Sequence, residues 1–250
     1  MTEELVRMED IVKSFGKVQA LKGVDMEVHN KEIVGLVGDN GAGKSTLIKI
    51  LSGALSPTSG KIWFEEERVS FQGTNDGIKA GIETVYQDAA LVGQLSVARN
   101  LFLGREPLKK NALLPSLDKQ YMDEQAVKLL QQVGLTTIDP SAKVNNLSGG
   151  QRQSIAIARG MFFRAKLIIL DEPTNNLGVE ESRNVLSFVM ETKDRGHSSI
   201  FITHNIRHIY QVADRIVVLR DGKKVGDLTK EETTMEEIEE MITGIEVLNA

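Results

Sequence analysis

Short apolar runs separated by turn residues fill the first zone of the chain, which extends to about Gln87. Runs of this kind predict β-strands, some of them antiparallel. The predicted strands cover residues 24–28, 33–37, 61–64, 69–71 and 82–86. One helix is predicted in this zone, over residues 45–51, because its apolar residues recur at helical spacing.

The apolar positions take up a helical period between residues 89 and 150. Asp118 is placed to cap a helix at its N-terminus, and Gly134 is placed to end it. The apolar residues that share one face of this helix are Ala126, Leu129, Leu130 and Val133. A second helix is predicted over residues 98–102.

Strand and helix patterns alternate in the third zone. Strands are predicted at 167–170, 199–203 and 216–220, helices at 152–164, 180–193 and 206–212, and a turn at 221–222. The uninterrupted apolar strands LIIL and SIFIT are typical of a parallel sheet buried on both faces. The alternation therefore predicts an α/β core with right-handed crossovers, followed by an acidic, amphipathic end from Glu231.

Composition narrows the class of protein. The 250 residues are 41% hydrophobic with a net charge of −5, which disfavours both disorder and a nucleic-acid-binding surface. No cysteine is present, so disulfides, thiolate catalysis and cysteine-based zinc sites are excluded. We see neither a secretory signal nor a run long enough for a membrane span, and we expect a soluble protein that reaches a membrane only through a partner.

A phosphate-binding loop is predicted at residues 38–45, GDNGAGKS, which match G-x-x-x-x-G-K-[ST] between a strand and a helix. Its glycines let backbone amides converge on phosphate oxygens, and Lys44 reaches the β- and γ-phosphates. Ser45 is a Mg²⁺ ligand candidate, and Thr46 assists. The predicted nucleotide-binding residues here are Gly38, Asp39, Asn40, Gly41, Ala42, Gly43, Lys44, Ser45 and Thr46. The flanking strand and helix disfavour the alternative, a glycine-rich turn with a chance Lys-Ser pair.

Two carboxylates follow the apolar strand LIIL, at the strand edge where ligands of an α/β sheet lie. Asp171 is placed to hold Mg²⁺ beside Ser45, and Glu172 to polarise a water that attacks the γ-phosphate. A second glycine cluster, LSGGQ, opens another helix and offers the Ser148 hydroxyl with the amides of Gly149 and Gly150. The two clusters bind either different phosphates or one phosphate from two subunits.

GDNGAGKST, LSGGQ and LIILDEP in this order resemble the ATP-binding cassette (ABC) family, the nucleotide-binding subunits of ABC transporters. The resemblance covers about residues 5–228. It implies one domain with a P-loop NTPase (RecA-like) core and mainly parallel sheet at 1–88 and 151–230, with an N-terminal antiparallel β subdomain. It also implies an inserted α-helical signature subdomain at 89–150 and an acidic helical tail at 231–250.

The resemblance also implies roles for single residues. Phe15 would stack on adenine, although taken alone it is more typical of a core residue. Gln87 would lie near Mg²⁺ and the attacking water, and His204 would contact the γ-phosphate. Two cassettes would pair head to tail and bury two ATP molecules. The signature of one copy would then close over the γ-phosphate of the other, through Ser148, Gly149, Gly150 and Gln151.

The amino-acid sequences of the motifs are similar to those of carbohydrate-uptake ATPases of the ribose, xylose and fructose type. This implies a homodimer on the inner face of the cell membrane, a transmembrane permease and, through it, a sugar-binding protein. The permease-receiving groove would lie near Leu91, Leu95, Val97, Leu101, Phe102 and Leu103. Two departures are that Gly178 replaces the usual Asp and that many sugar-type ATPases carry two cassettes. A scaffold-type cassette without a permease and a cassette that binds ATP without turnover are the alternatives.

Overall fold

The computed structural model describes residues 3–86, 91–109, 114–132, 134–163 and 165–244, and its strands form two sheets. The strands are β1 (Glu4–Phe15), β2 (Val18–His29), β3 (Ile33–Gly38), β4 (Ser59–Phe64), β5 (Glu67–Val69), β6 (Ile82–Val85), β7 (Leu167–Asp171), β8 (Ser198–Ile202), β9 (Arg215–Arg220) and β10 (Lys223–Thr229). The first sheet has the order β2-β1-β4-β5 and is antiparallel throughout.

The second sheet has the order β10-β9-β3-β8-β7-β6. Its five strands from β9 to β6 are parallel, and β10 pairs antiparallel with β9 at one edge. Strands β3 and β8 are buried along their whole length, as expected for a parallel sheet covered on both faces. The predicted α/β class with a mainly parallel sheet and an antiparallel β region is therefore correct.

Eight α-helices surround the sheets within the described part of the chain. They are α1 (Lys44–Leu51), α2 (Thr74–Ala80), α3 (Val97–Leu101), α4 (Lys119–Gln132), α5 (Gly149–Phe162), α6 (Val179–Asp194), α7 (Ile206–Val212) and α8 (Met235–Thr243). Helix α4 begins after Asp118, whose carboxylate accepts from the Tyr121 amide at 3.2 Å, as the predicted cap requires. Gly134 follows it with φ +72°, in the left-handed conformation that ends helices.

Three apolar clusters form the core of the part of the chain that the structure describes. One fills the space between the first sheet, α1 and one face of the parallel sheet, and the second packs α5, α6, α7 and α8 on the opposite face. Alternate strand residues supply the two clusters, for example Val34 and Leu36 to the first, and Ile33 and Val37 to the second. The third cluster joins α3, α4 and α5. No helix among the described residues is both long enough and apolar enough to cross a membrane.

Two predicted elements are wrong in position, and three elements of the structure are absent from the prediction. The strand expected at 69–71 is β5, Glu67–Val69, because the tight turn at Glu65 and Glu66 turns the chain back directly onto β4. Helix α5 begins at Gly149, inside the second glycine cluster, and not at residue 152. Strands β1 and β10 and helix α2 were not predicted.

Candidate active site

The carboxyl ends of three parallel strands bring the predicted site residues to one edge of the sheet. Strand β8 lies between β3, which leads into the phosphate loop, and β7, which leads into the acidic pair. Asp171 is paired with Ile202 across β7 and β8, so the residues that follow each strand are neighbours. Ligands of open α/β sheets bind at this edge.

The phosphate loop needs glycine at the positions where its backbone turns left-handed. Gly38, Gly41 and Gly43 have φ values of +150°, +84° and +106°. A Cβ atom on Gly38 would lie 2.2 Å from the Leu219 carbonyl oxygen, and one on Gly43 would lie 2.9 Å from the Ala20 carbonyl oxygen. The loop is thus pressed between β2 and β9, and α1 starts directly behind it with its amide groups facing the loop.

Lys44 is held over the loop by two backbone carbonyl groups. Its ammonium donates to the Gly38 oxygen at 2.7 Å and to the Asp39 oxygen at 3.0 Å. Burial lowers the pKa of Lys44, against the opposing influence of the negative charges on Glu172, Asp39 and Asp171. The lysine of the phosphate loop therefore lies within the electrostatic reach of both members of the acidic pair.

Asp171 and Glu172 have different surroundings. Burial and the neighbouring Glu172 raise the pKa of Asp171, while Lys44 and Lys49 act in the opposite direction. A divalent cation would stabilise the charged form of such a carboxylate. Ser45 is exposed at the first turn of α1 and can supply a hydroxyl oxygen to the same cation. No group of three or more metal-binding side chains occurs within the ranges that the structure describes. The residues fit Mg²⁺, which is commonly held by one or two protein oxygens together with substrate phosphates.

Glu172 is fixed by three donors from the segment that follows β8. The Thr203 hydroxyl donates to Oε2 at 2.9 Å, and the His204 amide donates to Oε1 at 3.1 Å. Nδ1 of His204 lies 3.0 Å from the same Oε1. Glu172 also has φ +51°, an uncommon conformation for a residue with a side chain, and such conformations cluster at functional sites.

Thr203 is a site residue that the sequence analysis missed, although it lies directly before His204. The sequence signal for Thr203 is its position directly after the apolar strand β8, at the edge where ligands of an α/β sheet bind. The β9–β10 turn was predicted as a turn but not as part of the site. Its Gly222 amide donates to the Ala42 oxygen at 3.1 Å and so supports the phosphate loop.

The second glycine cluster forms the N-terminus of the 14-residue helix α5. Ser148 and Gln151 exchange bonds there, since the Gln151 amide donates to the Ser148 hydroxyl at 3.3 Å and the Ser148 amide donates to Gln151 Oε1 at 2.9 Å. Gly149 packs against Leu177, because an added Cβ atom would lie 2.9 Å from Leu177 Cδ2. The signature is therefore fixed by the loop that follows the acidic pair.

One further predicted residue, Phe15, lies away from these contacts. Phe15 is 51% exposed near the tip of the β1–β2 hairpin, with Lys13 Nζ 5.2 Å from its ring centre, so the alternative that it belongs to the core is wrong. Gln87 lies outside the described residues. Of the apolar residues expected at a permease groove, Val97, Leu101 and Phe102 are buried in the helical core, and Leu103 is exposed.

Fold and site together define a P-loop nucleotide-binding protein with an additional glycine-rich helix start. The family model described as ABC transporter matches residues 21–175, and the chain belongs to this family. It is accordingly an ATP-binding ATPase subunit.

The chain is 48% identical to the xylose/arabinose import ATP-binding protein XylG of Sulfolobus acidocaldarius, over 96% of this chain and 94% of that protein. It is 42% identical to the fructose import ATP-binding protein FrcA of Rhizobium meliloti, over 97% and 95%. The crystal structure of the ADP conformation of an ABC transporter cassette superposes with a TM-score of 0.84 at 26% identity. That alignment covers 98% of this chain and 100% of that one.

Proposed function

We propose that this chain is the ATP-hydrolysing subunit of an ABC importer for a monosaccharide. The proposal of ATP hydrolysis is supported mainly by one observation: Lys44, Asp171 and the Glu172–His204 pair lie together at one edge of the sheet. The import part rests on relatives named for xylose, arabinose and fructose import, which match nearly the whole chain.

ATP would bind with its phosphates in the loop formed by residues 38–46. The loop amides and the start of α1 would surround the β- and γ-phosphates, and Lys44 would exchange its two carbonyl partners for phosphate oxygens. Phe15 would stack on the adenine ring from the exposed β1–β2 hairpin. When bound, Mg²⁺ would neutralise phosphate charge from a place between Ser45 and Asp171, with Gln87 as a further ligand.

Glu172 would act as the general base. Its carboxylate is held in a defined orientation by Thr203 and His204, so it can accept a proton from a water molecule in line with the γ-phosphate. His204 is exposed and lies on the same carboxylate, which allows it to turn toward the γ-phosphate. Positioning and electrostatic stabilisation are the main requirements of phosphoryl transfer, and these groups supply both.

The signature would complete the site of a second copy. Ser148, Gly149, Gly150 and Gln151 stand at the start of a long helix, where the amides and the helix dipole favour an anion. In a head-to-tail homodimer each signature would close over the γ-phosphate held by Lys44 of the other copy. Loss of the γ-phosphate would remove those contacts and open the pair.

A membrane permease would receive this motion at a surface cavity of about 360 Å³ beside β6. The cavity is lined on one side by Glu83 and Tyr86 and on the other by Leu103, Arg105 and Phe163. It thus joins the parallel sheet to the helical region, and a permease segment bound there would sense their relative movement. A sugar-binding protein would reach the complex through the permease.

The import proposal is tested by purifying the tagged chain from detergent-extracted membranes of its own source organism. We expect an integral membrane protein with the features of a sugar permease to purify with it. Replacing Leu103 by Glu should reduce this recovery without changing ATP binding, since the side chain is exposed at the cavity. Recovery of soluble assembly partners alone would favour the scaffold type of cassette and contradict import.

A further inference from the structure

The carboxylate of Glu181, in the first turn of α6, lies against the signature of the same subunit. A Cβ atom on Gly150 would lie only 2.8 Å from Glu181 Cβ and 3.1 Å from its Cγ. Gly150 has no unusual φ, so the approach of this side chain, and not the backbone conformation, requires glycine here. Helix α6 therefore presses one acidic side chain onto the start of α5.

Hydrogen bonds identify what this carboxylate does at the signature. Those from the Ser148 hydroxyl, the Gly178 amide and the Gly150 amide lower the pKa of Glu181, so the group is ionised at neutral pH. The Gly178 amide lies 3.2 Å from Oε2. The partners at the signature, Ser148 and Gly150, are two of the groups proposed to bind the partner's γ-phosphate.

The Ser148 hydroxyl and the Gly150 amide cannot serve the Glu181 carboxylate and a phosphate at the same time. The Gln151 and Arg152 amides donate to the side chain and the carbonyl oxygen of Ser148, so they are engaged within α5. The Ser148 hydroxyl and the Gly150 amide have one proton each, and the Glu181 carboxyl carbon would lie 3.4 Å from a Cβ atom on Gly150, so the carboxylate is next to both donors. A phosphate at the same place would also be repelled by the carboxylate's charge.

We propose that Glu181 is an internal counter-ion of the signature that occupies Ser148 and Gly150 until the γ-phosphate of a second copy displaces it. This inference rests on the proposed head-to-tail ATP dimer. Glu181 therefore sets the ATP concentration at which two subunits associate. A cavity of about 440 Å³ borders the signature and is lined by Glu181 itself, so the released side chain has space to turn into it.

The test compares glutamine variants in a Glu172→Gln background, which keeps ATP unhydrolysed. Glu181→Gln retains the size of the side chain and an oxygen acceptor for Ser148, but it removes the competing charge. We expect it to lower the ATP concentration for half-maximal dimerisation, measured by light scattering with Mg²⁺, by about threefold to tenfold, the effect of one or two modest hydrogen bonds. Glu180→Gln is the matched control, because it removes a charge from the same helical turn and is expected to leave the concentration unchanged.

A purely structural cap predicts the opposite sign, since weakening the cap would loosen the signature and raise the ATP requirement. An unchanged or raised requirement for Glu181→Gln relative to Glu180→Gln overturns the inference. Binding of a fluorescent ATP analogue to monomers checks that each variant is folded. Glu181→Ala also removes the charge and shows a second time whether the ATP requirement for dimerisation falls or rises. If the parent Glu172→Gln binds ATP without any dimerisation, the proposed ATP dimer itself is wrong. If the parent dimerises and only the Glu181→Gln effect is absent, the counter-ion role alone is wrong.

Discussion

At the scale of single residues, the reactive groups were predictable because each is placed by its neighbours in sequence. Lys44 follows a glycine-rich loop after one buried strand, and Glu172 follows another buried strand, so the strands themselves determine where both residues lie. Contacts between distant segments were not predictable. Thr203 and Glu181 act on residues more than 30 positions away, through strand adjacency and helix packing that no local pattern encodes.

Thr203→Val is expected to lower kcat for ATP hydrolysis by about threefold to tenfold, because the variant removes one hydrogen bond that orients Glu172. The KM for ATP should stay unchanged, since Thr203 is bonded to Glu172, the proposed base, and is not one of the residues proposed to bind phosphate. Steady-state phosphate release measures both constants. Thr203→Ser should restore kcat, and Ser199→Ala, which removes a buried hydroxyl from the preceding strand β8, should leave it unaltered. A rise in KM with normal kcat would contradict this role.

At the scale of elements, strongly apolar segments were predicted well and mixed ones were not. Strand β1 was missed because the charged residues in ELVRMEDIVKSF interrupt any regular alternation, and the strand tolerates them through register shifts around Asp10. Strand β10 is a polar edge strand, and α2 contains Gly77, which lies against the Ser52 carbonyl group. In each case tertiary packing stabilises an element that its own sequence favours weakly.

The ion pairs of Arg215 join the two sheets. The guanidinium donates to Glu32 at 2.7 Å, to Asp227 at 2.6 Å and to the Glu27 carbonyl oxygen at 2.7 Å, and its side chain is only 14% exposed. Arg215→Met should destabilise the protein by about 3 kcal/mol, because it leaves the largely buried Glu32 carboxylate without its arginine partner, while Asp227 keeps its pair with Lys224.

Urea denaturation followed by circular dichroism measures the loss for Arg215→Met. The matched control is Lys166→Met, which breaks a pair with Glu65 whose side chains are each 48% exposed. This control should lose less than about 1 kcal/mol. Equal losses for the two variants would show that the Arg215 pairs do not hold the sheets together.

The same pairs predict a pH dependence. Burial raises the pKa of Asp227, but hydrogen bonds and charge from Lys224 and Arg215 outweigh burial and hold it below its ordinary value. A lowered folded-state pKa adds stability above the unfolded value of about 3.9, and this is lost as the pH falls through the folded value. The stability difference between wild type and Asp227→Asn should thus be full near pH 6 and shrink below about pH 4. A difference that grows toward acid pH would refute the assignment.

At the scale of the whole molecule, the chain carries two glycine-rich helix starts, both of which are proposed to bind phosphate. The phosphate loop opens α1, and the signature opens α5 after a helical region with its own core. The change of hydrophobic period predicts a division into these regions, and the family resemblance implies their roles. Two complementary groups on one chain allow a closed pair in which each copy completes the site of the other.

Ser148→Arg tests the role of the signature in that pair. The exposed Ser148 would carry a long cation into the proposed interface and block closure, while ATP binding by the monomer should be unaffected because Lys44 belongs to another segment. A fluorescent ATP analogue measures binding and size-exclusion chromatography measures association. Loss of monomer binding would indicate that the signature serves the nucleotide of its own subunit.

The central claim is that two copies sandwich ATP, and the molar mass of Glu172→Gln with Mg²⁺ and ATP tests it most directly. The variant keeps the phosphate loop but lacks the proposed general base, so the ATP-bound state should accumulate. Light scattering should show 27.6 kDa without nucleotide and about twice that mass with ATP. A variant that binds ATP at saturating concentration and still weighs 27.6 kDa would contradict the account.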